Sequence, residues 1–152
     1  MKRILICLLA LIGSSCEKAF ISSIPDYPVY LELDLDFEDN ALLTPLAYKI
    51  YTPQNVNQAV ERTGFGGVLV FRGLGNTGTN ACYAFDTACP YEASRSVTVG
   101  VDDAHLYALC DKCQTKYDLT SGAANPVSGP GREPLKPYRV WSNGNKIYVG
   151  NR

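Results

Sequence analysis

The sequence has 152 residues, of which 46% are hydrophobic and 19% are charged, and its formal net charge is −1. This length suits a single domain. The near-neutral charge argues against a nucleic-acid partner, which requires a basic surface. The one histidine, His105, leaves no catalytic Ser–His–Asp or Cys–His set to assemble, so no catalytic residue is predicted.

The first sixteen residues have the features of an export signal. Lys2 and Arg3 precede an unbroken apolar run over residues 4–12, and small residues follow up to Cys16. A basic start, a short apolar segment and small residues are typical of a signal peptide, and the run is too short to span a bilayer. The site resembles the bacterial lipobox, with Gly13 where leucine is usual. This resemblance implies cleavage before Cys16 and lipidation of that cysteine.

Three segments follow from this interpretation: a signal peptide over residues 1–15, a lipidated tether over residues 16–24, and a domain over residues 25–152. Loss of Lys2 and Arg3 leaves 12 basic and 15 acidic residues, a formal charge of −3. We expect the mature protein in the bacterial cell envelope, on the periplasmic or outer-membrane face. Its contacts would be the membrane, through the lipid on Cys16, and an envelope protein that the sequence does not identify.

Short β-strands are predicted along the rest of the chain. Residues 29–35 alternate between apolar and polar side chains, which is the pattern of a half-buried strand. Residues 55–61 are predicted to form a helical turn, Asp102-Asp103 a tight hairpin, and residues 121–137 a long loop. The other predicted strands cover residues 47–51, 68–72, 82–85, 96–101, 104–109, 115–119, 138–141 and 146–149. Many short strands separated by turns favour an all-β sandwich or barrel.

Four cysteines follow Cys16, namely Cys82, Cys89, Cys110 and Cys113. Cys89 and Cys110 each come just after a predicted strand, and a predicted hairpin separates them. Two loops placed side by side by that hairpin could hold a metal or a cluster between them. The segment from Gly129-Pro130 is predicted to form a third loop that covers this site.

Residues 66–149 resemble the Rieske iron–sulfur domain. The resemblance is carried by Cys89-Pro90-Tyr91, by Cys110-Asp111-Lys112-Cys113, and by the strand exit Tyr117-Asp118-Leu119-Thr120-Ser121-Gly122. It implies an all-β fold of stacked antiparallel sheets with a small cluster-binding subdomain over about residues 82–134. It also implies a 2Fe-2S cluster and electron transfer. Tyr91 and Cys113 stand where that family has its two histidine ligands.

Four interpretations of the cysteines stay open. Cys89, Cys110 and Cys113 could hold iron, with a fourth ligand from Cys82, Tyr91 or Glu92, or they could hold structural zinc. An oxidising envelope also favours a disulfide from Cys89 to Cys110 or Cys113. A dithiol redox pair of Cys110 and Cys113 is the fourth interpretation. The corresponding functions are electron transfer or, alternatively, a non-redox binding or structural module, rather than catalysis.

Four further residues receive structural interpretations. Cys82 is predicted to be a buried free thiol, since an extended strand would carry it far from Cys89. His105 is predicted to be an exposed or hydrogen-bonded residue of the strand over residues 104–109. Glu92 and Asp111 are predicted to be solvated loop charges.

Overall fold

A computed structural model describes residues 21–74 and 81–151. The predicted signal peptide and the lipidation site Cys16 lie outside these residues, as does most of the predicted tether. Within them the chain forms eleven β-strands and one short 3-10 helix, Asn40–Leu43. The strands are β1 Val29–Asp34, β2 Tyr48–Tyr51, β3 Arg62–Thr63, β4 Val68–Arg72, β5 Cys82–Asp86, β6 Val99–Val101, β7 Tyr107–Cys110, β8 Lys116–Asp118, β9 Asn125–Ser128, β10 Pro137–Asn143 and β11 Lys146–Gly150.

The strands form two antiparallel sheets, which confirms the predicted all-β class. The larger sheet has the order β2-β4-β5-β10-β11-β1-β3, and the smaller has the order β6-β7-β8-β9. In β1 the predicted alternation is observed, because Val29, Leu31 and Leu33 are buried whereas Tyr30 and Glu32 are exposed.

The smaller sheet packs on one face of the larger one. Leu69, Phe71 and Phe85 from β4 and β5 share a hydrophobic cluster with Ala108 and Tyr117 from β7 and β8. The opposite face of β4 contributes Val68 and Val70 to a second cluster with the leucines of β1. All five residues of β4 are buried, so this strand lies between two cores.

The long loop predicted over residues 121–137 contains a strand, β9, which pairs with β8 at the edge of the smaller sheet. Pro126 lies within it, and proline is tolerated in a strand mainly at an edge, where its missing N–H is not needed. The prolines and glycines of residues 121–137 therefore predicted a loop where part of the segment forms an edge strand. The two-residue strand β3, which pairs with β1, was also not predicted.

The turn predicted over residues 55–61 is observed, because the Asn57 carbonyl accepts hydrogen bonds from the N–H groups of Val60 and Glu61, although it does not continue into a longer helix. Another predicted local structure is wrong in detail. The hairpin between β6 and β7 has a wider turn than expected. The Asp102 carboxylate accepts the N–H groups of Leu106 at 2.8 Å and Tyr107 at 3.0 Å, so β7 begins only at Tyr107.

The domain includes the last residues of the segment predicted as a tether. The N–H and the hydroxyl of Ser23 donate to the carboxylate of Glu133 at 2.9 and 2.6 Å, and Ile24 is buried. Over residues 21–74 and 81–151, no helix has the length and the apolar character required to cross a membrane.

Candidate metal centre

The turn after β5 is fixed by the carboxylate of Asp86, which is fully buried. It accepts hydrogen bonds from the N–H groups of Phe65 at 3.0 Å, Gly66 at 3.0 Å and Ala88 at 2.7 Å. The hydroxyl of Tyr138 donates to it at 2.6 Å. Because a buried carboxylate is stable only when its oxygens are paired, this network sets the path of the chain into Cys89.

The two cysteine loops, residues 89–93 and 110–115, have the same construction. The N–H of Ala93 donates to the carbonyl of Cys89 at 2.9 Å, and the N–H of Gln114 donates to the carbonyl of Cys110 at 2.8 Å. Ala93 and Gln114 both have positive φ, 46° and 60°, which is uncommon for residues other than glycine. Each loop thus turns back over its own cysteine. The left-handed backbone that this requires could not be predicted from the sequence, because neither alanine nor glutamine favours it.

These loops bring together the thiols of Cys89, Cys110 and Cys113, hereafter the cysteine group. Their three sulfur atoms lie within 4.8 Å of one another, and Sγ of Cys89 is 3.6 Å from Sγ of Cys113. Cys89 and Cys110 are fully buried, whereas Cys113 is half-buried. In the described part of the chain, this is the one group of three or more His, Cys, Asp or Glu side chains close enough to share a metal ion.

Two hydroxyl groups contact the cysteine group. Oη of Tyr117 lies 3.5 Å from Sγ of Cys89, and the thiol of Cys113 donates to Oγ1 of Thr115 at 3.1 Å. Both Tyr117 and Thr115 are fully buried. Burial raises the pKa of Tyr117, and the contact with Cys89 raises it further, so this phenol remains protonated and can donate.

The thiols of the second loop differ in acidity. Burial raises the pKa of Cys110 to about 11, although the backbone N–H groups of Cys113 and Lys112 oppose this shift. Burial also acts to raise the pKa of Cys113, but hydrogen bonding with the side chain and backbone of Thr115 and with the other two thiols outweighs it, so the net shift is downward. Cys113 is therefore the more readily ionised thiol of the two.

The predicted third loop lies against the two hydroxyl-bearing side chains that contact the cysteine group. The N–H of Gly131, a buried residue, donates to Oγ1 of Thr115 at 3.0 Å. A Cβ atom at position 131 would lie only 2.8 Å from Cγ2 of Thr115 and 3.1 Å from Oη of Tyr117. Residues 129–131, hereafter the covering loop, thus pack directly on the two hydroxyl-bearing side chains, and this contact requires glycine.

An ion pair joins the two cysteine loops at the surface. Nζ of Lys112 lies 2.5 Å from Oε2 of Glu92, and the Glu92 side chain is only 13% exposed. The hydrogen bond and the charge of Glu92 raise the pKa of Lys112. The prediction that Glu92 is a solvated loop charge is therefore wrong, whereas Asp111 is exposed as predicted.

Cys82 lies apart from the cysteine group, as expected from the length of extended strand between Cys82 and Cys89. It is buried on the other face of the larger sheet, opposite Arg72 in the register of β4 and β5. Burial raises the pKa of its thiol, although Arg72 opposes the shift. Cys82 is thus a buried free thiol, as predicted.

Tyr91 and His105 do not join the cysteine group. Tyr91 is 57% exposed, so much of its side chain faces solvent. His105 is hydrogen bonded, as predicted, but it lies in the turn before β7, with φ of 56°. Its Nδ1 is 3.1 Å from the carbonyl oxygen of Leu46, and its ring makes an edge contact with Tyr48.

The donor atoms of the cysteine group fit some of the candidate metals and cross-links and not others. Three thiols form a soft donor set, which suits iron–sulfur chemistry or zinc. A 2Fe-2S cluster requires four ligands, two on each iron, and the cysteine group supplies three. No disulfide joins cysteines among residues 21–74 and 81–151, since 3.6 Å far exceeds a disulfide bond of about 2.05 Å. The residues thus fit a thiolate-bound metal but not a complete two-iron cluster.

The importance of Thr115, Tyr117 and Asp86 was not recognised from the sequence. The position of Tyr117 could have been inferred from the register of the hairpin between β7 and β8. Tyr117 pairs with Ala108, and Ala108 shares the buried face of β7 with Cys110. For Asp86 no comparable signal is present, because three of its four donors are backbone N–H groups.

Comparisons with known proteins give a limited result. No protein-family model matches the chain, and no curated protein matches it. Among solved structures, the chain is similar to the ferredoxin of carbazole 1,9a-dioxygenase from Nocardioides aromaticivorans IC177. That similarity has 18% identity and a TM-score of 0.45, and it covers 84% of this chain and 98% of that chain.

Two other solved structures are similar at comparable levels. One is a complex of reduced oxygenase and oxidised ferredoxin in carbazole 1,9a-dioxygenase, with 13% identity, coverage of 82% of this chain and 94% of that chain, and a TM-score of 0.46. The other is described as a candidate small subunit of an NADPH nitrite reductase, with 12% identity, coverage of 83% and 98%, and a TM-score of 0.40. At these levels the similarities carry no conclusion about activity.

Proposed function

We propose that the protein transfers electrons through iron held by Cys89, Cys110 and Cys113. The observation that carries this proposal is the convergence of three thiols from two loops, two of them fully buried and the third half-buried. Iron bound to thiolates supplies a one-electron couple whose potential depends on charge, hydrogen bonds to sulfur and exposure to solvent.

The surroundings of the cysteine group suit electron exchange better than catalysis on a bound substrate. Cys89 and Cys110 are fully buried, and the covering loop packs over Thr115 and Tyr117. A cleft of about 790 Å³ is lined by Ile24, Lys136 and neighbouring residues, and the cysteine group does not line it. Electrons can pass through a few ångströms of protein, whereas a substrate needs an open path.

Of the three thiols in the cysteine group, that of Cys113 is the most exposed to solvent, because it is only half-buried. Tyr91, which is exposed, and the ion pair of Glu92 and Lys112 belong to the same two loops. We infer that a redox partner docks on this side, where the path from the surface to sulfur is shortest.

The proposal also includes the compartment. Lipid on Cys16 would hold the protein at a membrane of the bacterial envelope, and the partner would be an envelope protein. Support for this comes from the sequence of residues 1–16, whose basic start, apolar run and small residues precede Cys16.

The test uses the full chain, produced in a bacterial envelope and purified in mild detergent. We expect iron in the purified protein, a visible absorption band that bleaches on reduction, and recovery of that band on reoxidation. The matched variants are Cys110→Ser, which should lose iron and colour, and Cys82→Ala, which should keep both. A colourless wild-type protein without iron would overturn the proposal.

A further inference from the structure

The spacing of the sulfur atoms bears on how many metal ions the site holds. A tetrahedral ion bound to thiolates at about 2.3 Å places its sulfur ligands about 3.8 Å apart. The Sγ atoms of Cys89 and Cys113 are 3.6 Å apart, and all three sulfurs of the cysteine group lie within 4.8 Å of one another. One ion can therefore contact all three sulfurs with little movement of the chain.

A two-iron cluster would need a different arrangement. Two ligands bind each iron, and the bridging sulfides separate the two pairs. If Cys113 and Tyr91 took the two positions on the second iron, Cys113 would lie across the cluster from Cys89. Instead, the thiols of Cys89 and Cys113 are in contact with each other. The side chain of Tyr91 is 57% exposed rather than enclosed with the sulfurs.

The nearest carboxylate and the one histidine do not join the sulfurs. The carboxylate of Glu92 is paired with Lys112, and His105 is bonded to the carbonyl of Leu46. Oγ1 of Thr115 accepts the N–H of Gly131. Among the His, Cys, Asp and Glu side chains that the structure describes, the group at this site therefore has three members.

We propose that the cysteine group binds a single thiophilic metal ion through three thiolates, in place of a two-iron cluster. This inference rests on the proposed function for the identity of the three ligands. It differs in predicting one ion for each chain and no inorganic sulfide.

The experiment is a titration of the reduced, metal-free full chain with Co²⁺ under anaerobic conditions. Cobalt bound by thiolates in a tetrahedral site absorbs strongly in the visible range, so its spectrum reports both stoichiometry and ligand type. We expect saturation at one equivalent, with thiolate-to-cobalt charge-transfer absorption. The protein purified without added metal should contain one ion for each chain and no acid-labile sulfide.

Matched variants identify the ligands. Each of three variants should bind cobalt more weakly, so that its titration curve no longer saturates sharply at one equivalent, and should lose part of the charge-transfer intensity. These variants are Cys89→Ser, Cys110→Ser and Cys113→Ser. Cys82→Ala and His105→Asn should keep both, since neither residue belongs to the cysteine group. Circular dichroism of each variant separates loss of a ligand from loss of the fold, and a folded cysteine variant that still binds one equivalent with full intensity would contradict the assignment.

The outcomes for the single ion and for electron transfer are distinguishable. Two irons with two sulfides would overturn the single ion and leave electron transfer intact. One zinc ion without iron would support the single ion and overturn electron transfer. A metal-free protein that has lost two of its free thiols to a disulfide would overturn both.

Discussion

The phenol oxygen of Tyr117 lies 3.5 Å from the sulfur of Cys89, in the interior of the protein where neither side chain is exposed. The cysteine comes from the loop after β5, and the tyrosine comes from the centre of β8. The contact therefore links a proposed metal ligand to the strand that carries the chain away from the other two ligands.

The first prediction concerns this contact. Tyr117→Phe should leave the fold and the metal content intact but lower the midpoint potential, because a hydrogen bond to sulfur favours the reduced, more negative state. The loss of one hydrogen bond of ~0.5–1.5 kcal/mol corresponds to roughly 20–60 mV for a one-electron couple. Protein-film voltammetry measures the shift. Tyr148→Phe, on β11, is the control, and an equal shift there would contradict the assignment.

The second prediction concerns the covering loop. Gly131→Ala should force the loop away from Thr115 and Tyr117, since the new Cβ would meet both side chains. Overpacking of this kind costs about 1–3 kcal/mol, so we expect a lower Tm and faster labelling of the cysteine group by a thiol reagent.

Gly100→Ala is the matched control for the covering loop. Gly100 is an exposed residue of β6, and no atom lies within 4 Å of a Cβ built there. Its labelling rate should equal that of the wild type. Equal rates for Gly131→Ala and the wild type would show that the covering loop does not protect the thiols.

The third prediction concerns Asp86. Asp86→Ala would leave three backbone N–H groups and the Tyr138 hydroxyl without their buried acceptor. Each unsatisfied buried group costs ~1–3 kcal/mol, so the free energy of unfolding should fall by at least about 3 kcal/mol. Urea denaturation measures it. Asp103→Ala, at an exposed turn position, should unfold like the wild type, and a similar loss in both variants would contradict the role of Asp86.

The fourth prediction concerns pH. Asp118 is half-buried, and burial alone would raise its pKa, but hydrogen bonds from Thr120 and Ser121 lower it. A carboxyl with a depressed pKa contributes stability above its unfolded pKa of about 3.9, and this contribution is lost as pH falls through the folded pKa. The Tm of Asp118→Asn should therefore lie a few degrees below that of the wild type at neutral pH. This difference should shrink below about pH 4.

Thermal unfolding from pH 7 to pH 2.5 checks the fourth prediction. The control is Asp103→Asn, which should follow the wild type at every pH because the residue is exposed. A difference for Asp118→Asn that stays constant down to the lowest pH would contradict an ionised Asp118 in the folded protein.

The fifth prediction concerns the anchor. Cys16→Ser should move the protein from the membrane fraction to the soluble envelope fraction, because only a lipidated cysteine binds the bilayer in this interpretation. Cell fractionation with immunoblotting measures the distribution, and mass spectrometry of the mature N-terminus identifies the lipid. Cys7→Ser is the control, since Cys7 lies within the segment that is predicted to be removed. Membrane retention of a Cys16→Ser variant that has lost residues 1–15 would contradict lipidation.

Much of the strand pattern could be predicted from the sequence, because side chains in a half-buried strand alternate. β1 is a clear example. β4 does not alternate, because it is buried on both faces, but its compact apolar run predicted it with its observed bounds. The edge strand β9 could not be predicted in the same way, since its proline and polar residues resemble a loop. An edge strand gains its stability from pairing with a neighbour, and a local pattern does not show that pairing.

The convergence of the cysteine group could also be predicted, since two loops next to one hairpin must lie close together. The distances could not. They depend on the left-handed backbone at Ala93 and Gln114, which ordinary residues adopt there under tertiary constraint. The ion pair between Glu92 and Lys112 likewise depends on the approach of two loops that are distant in sequence.

The position of β4 between two cores has a consequence for engineering. Leu69 and Phe71 pack against the side of the protein that carries the cysteine group, while Val68 and Val70 pack against the opposite side. The ligand loops are therefore not a portable module, because a peptide that contained them alone would lack one wall of its interior. Both halves should melt in a single cooperative transition, so a spectroscopic signal from the bound metal would also report on the integrity of the distant sheet.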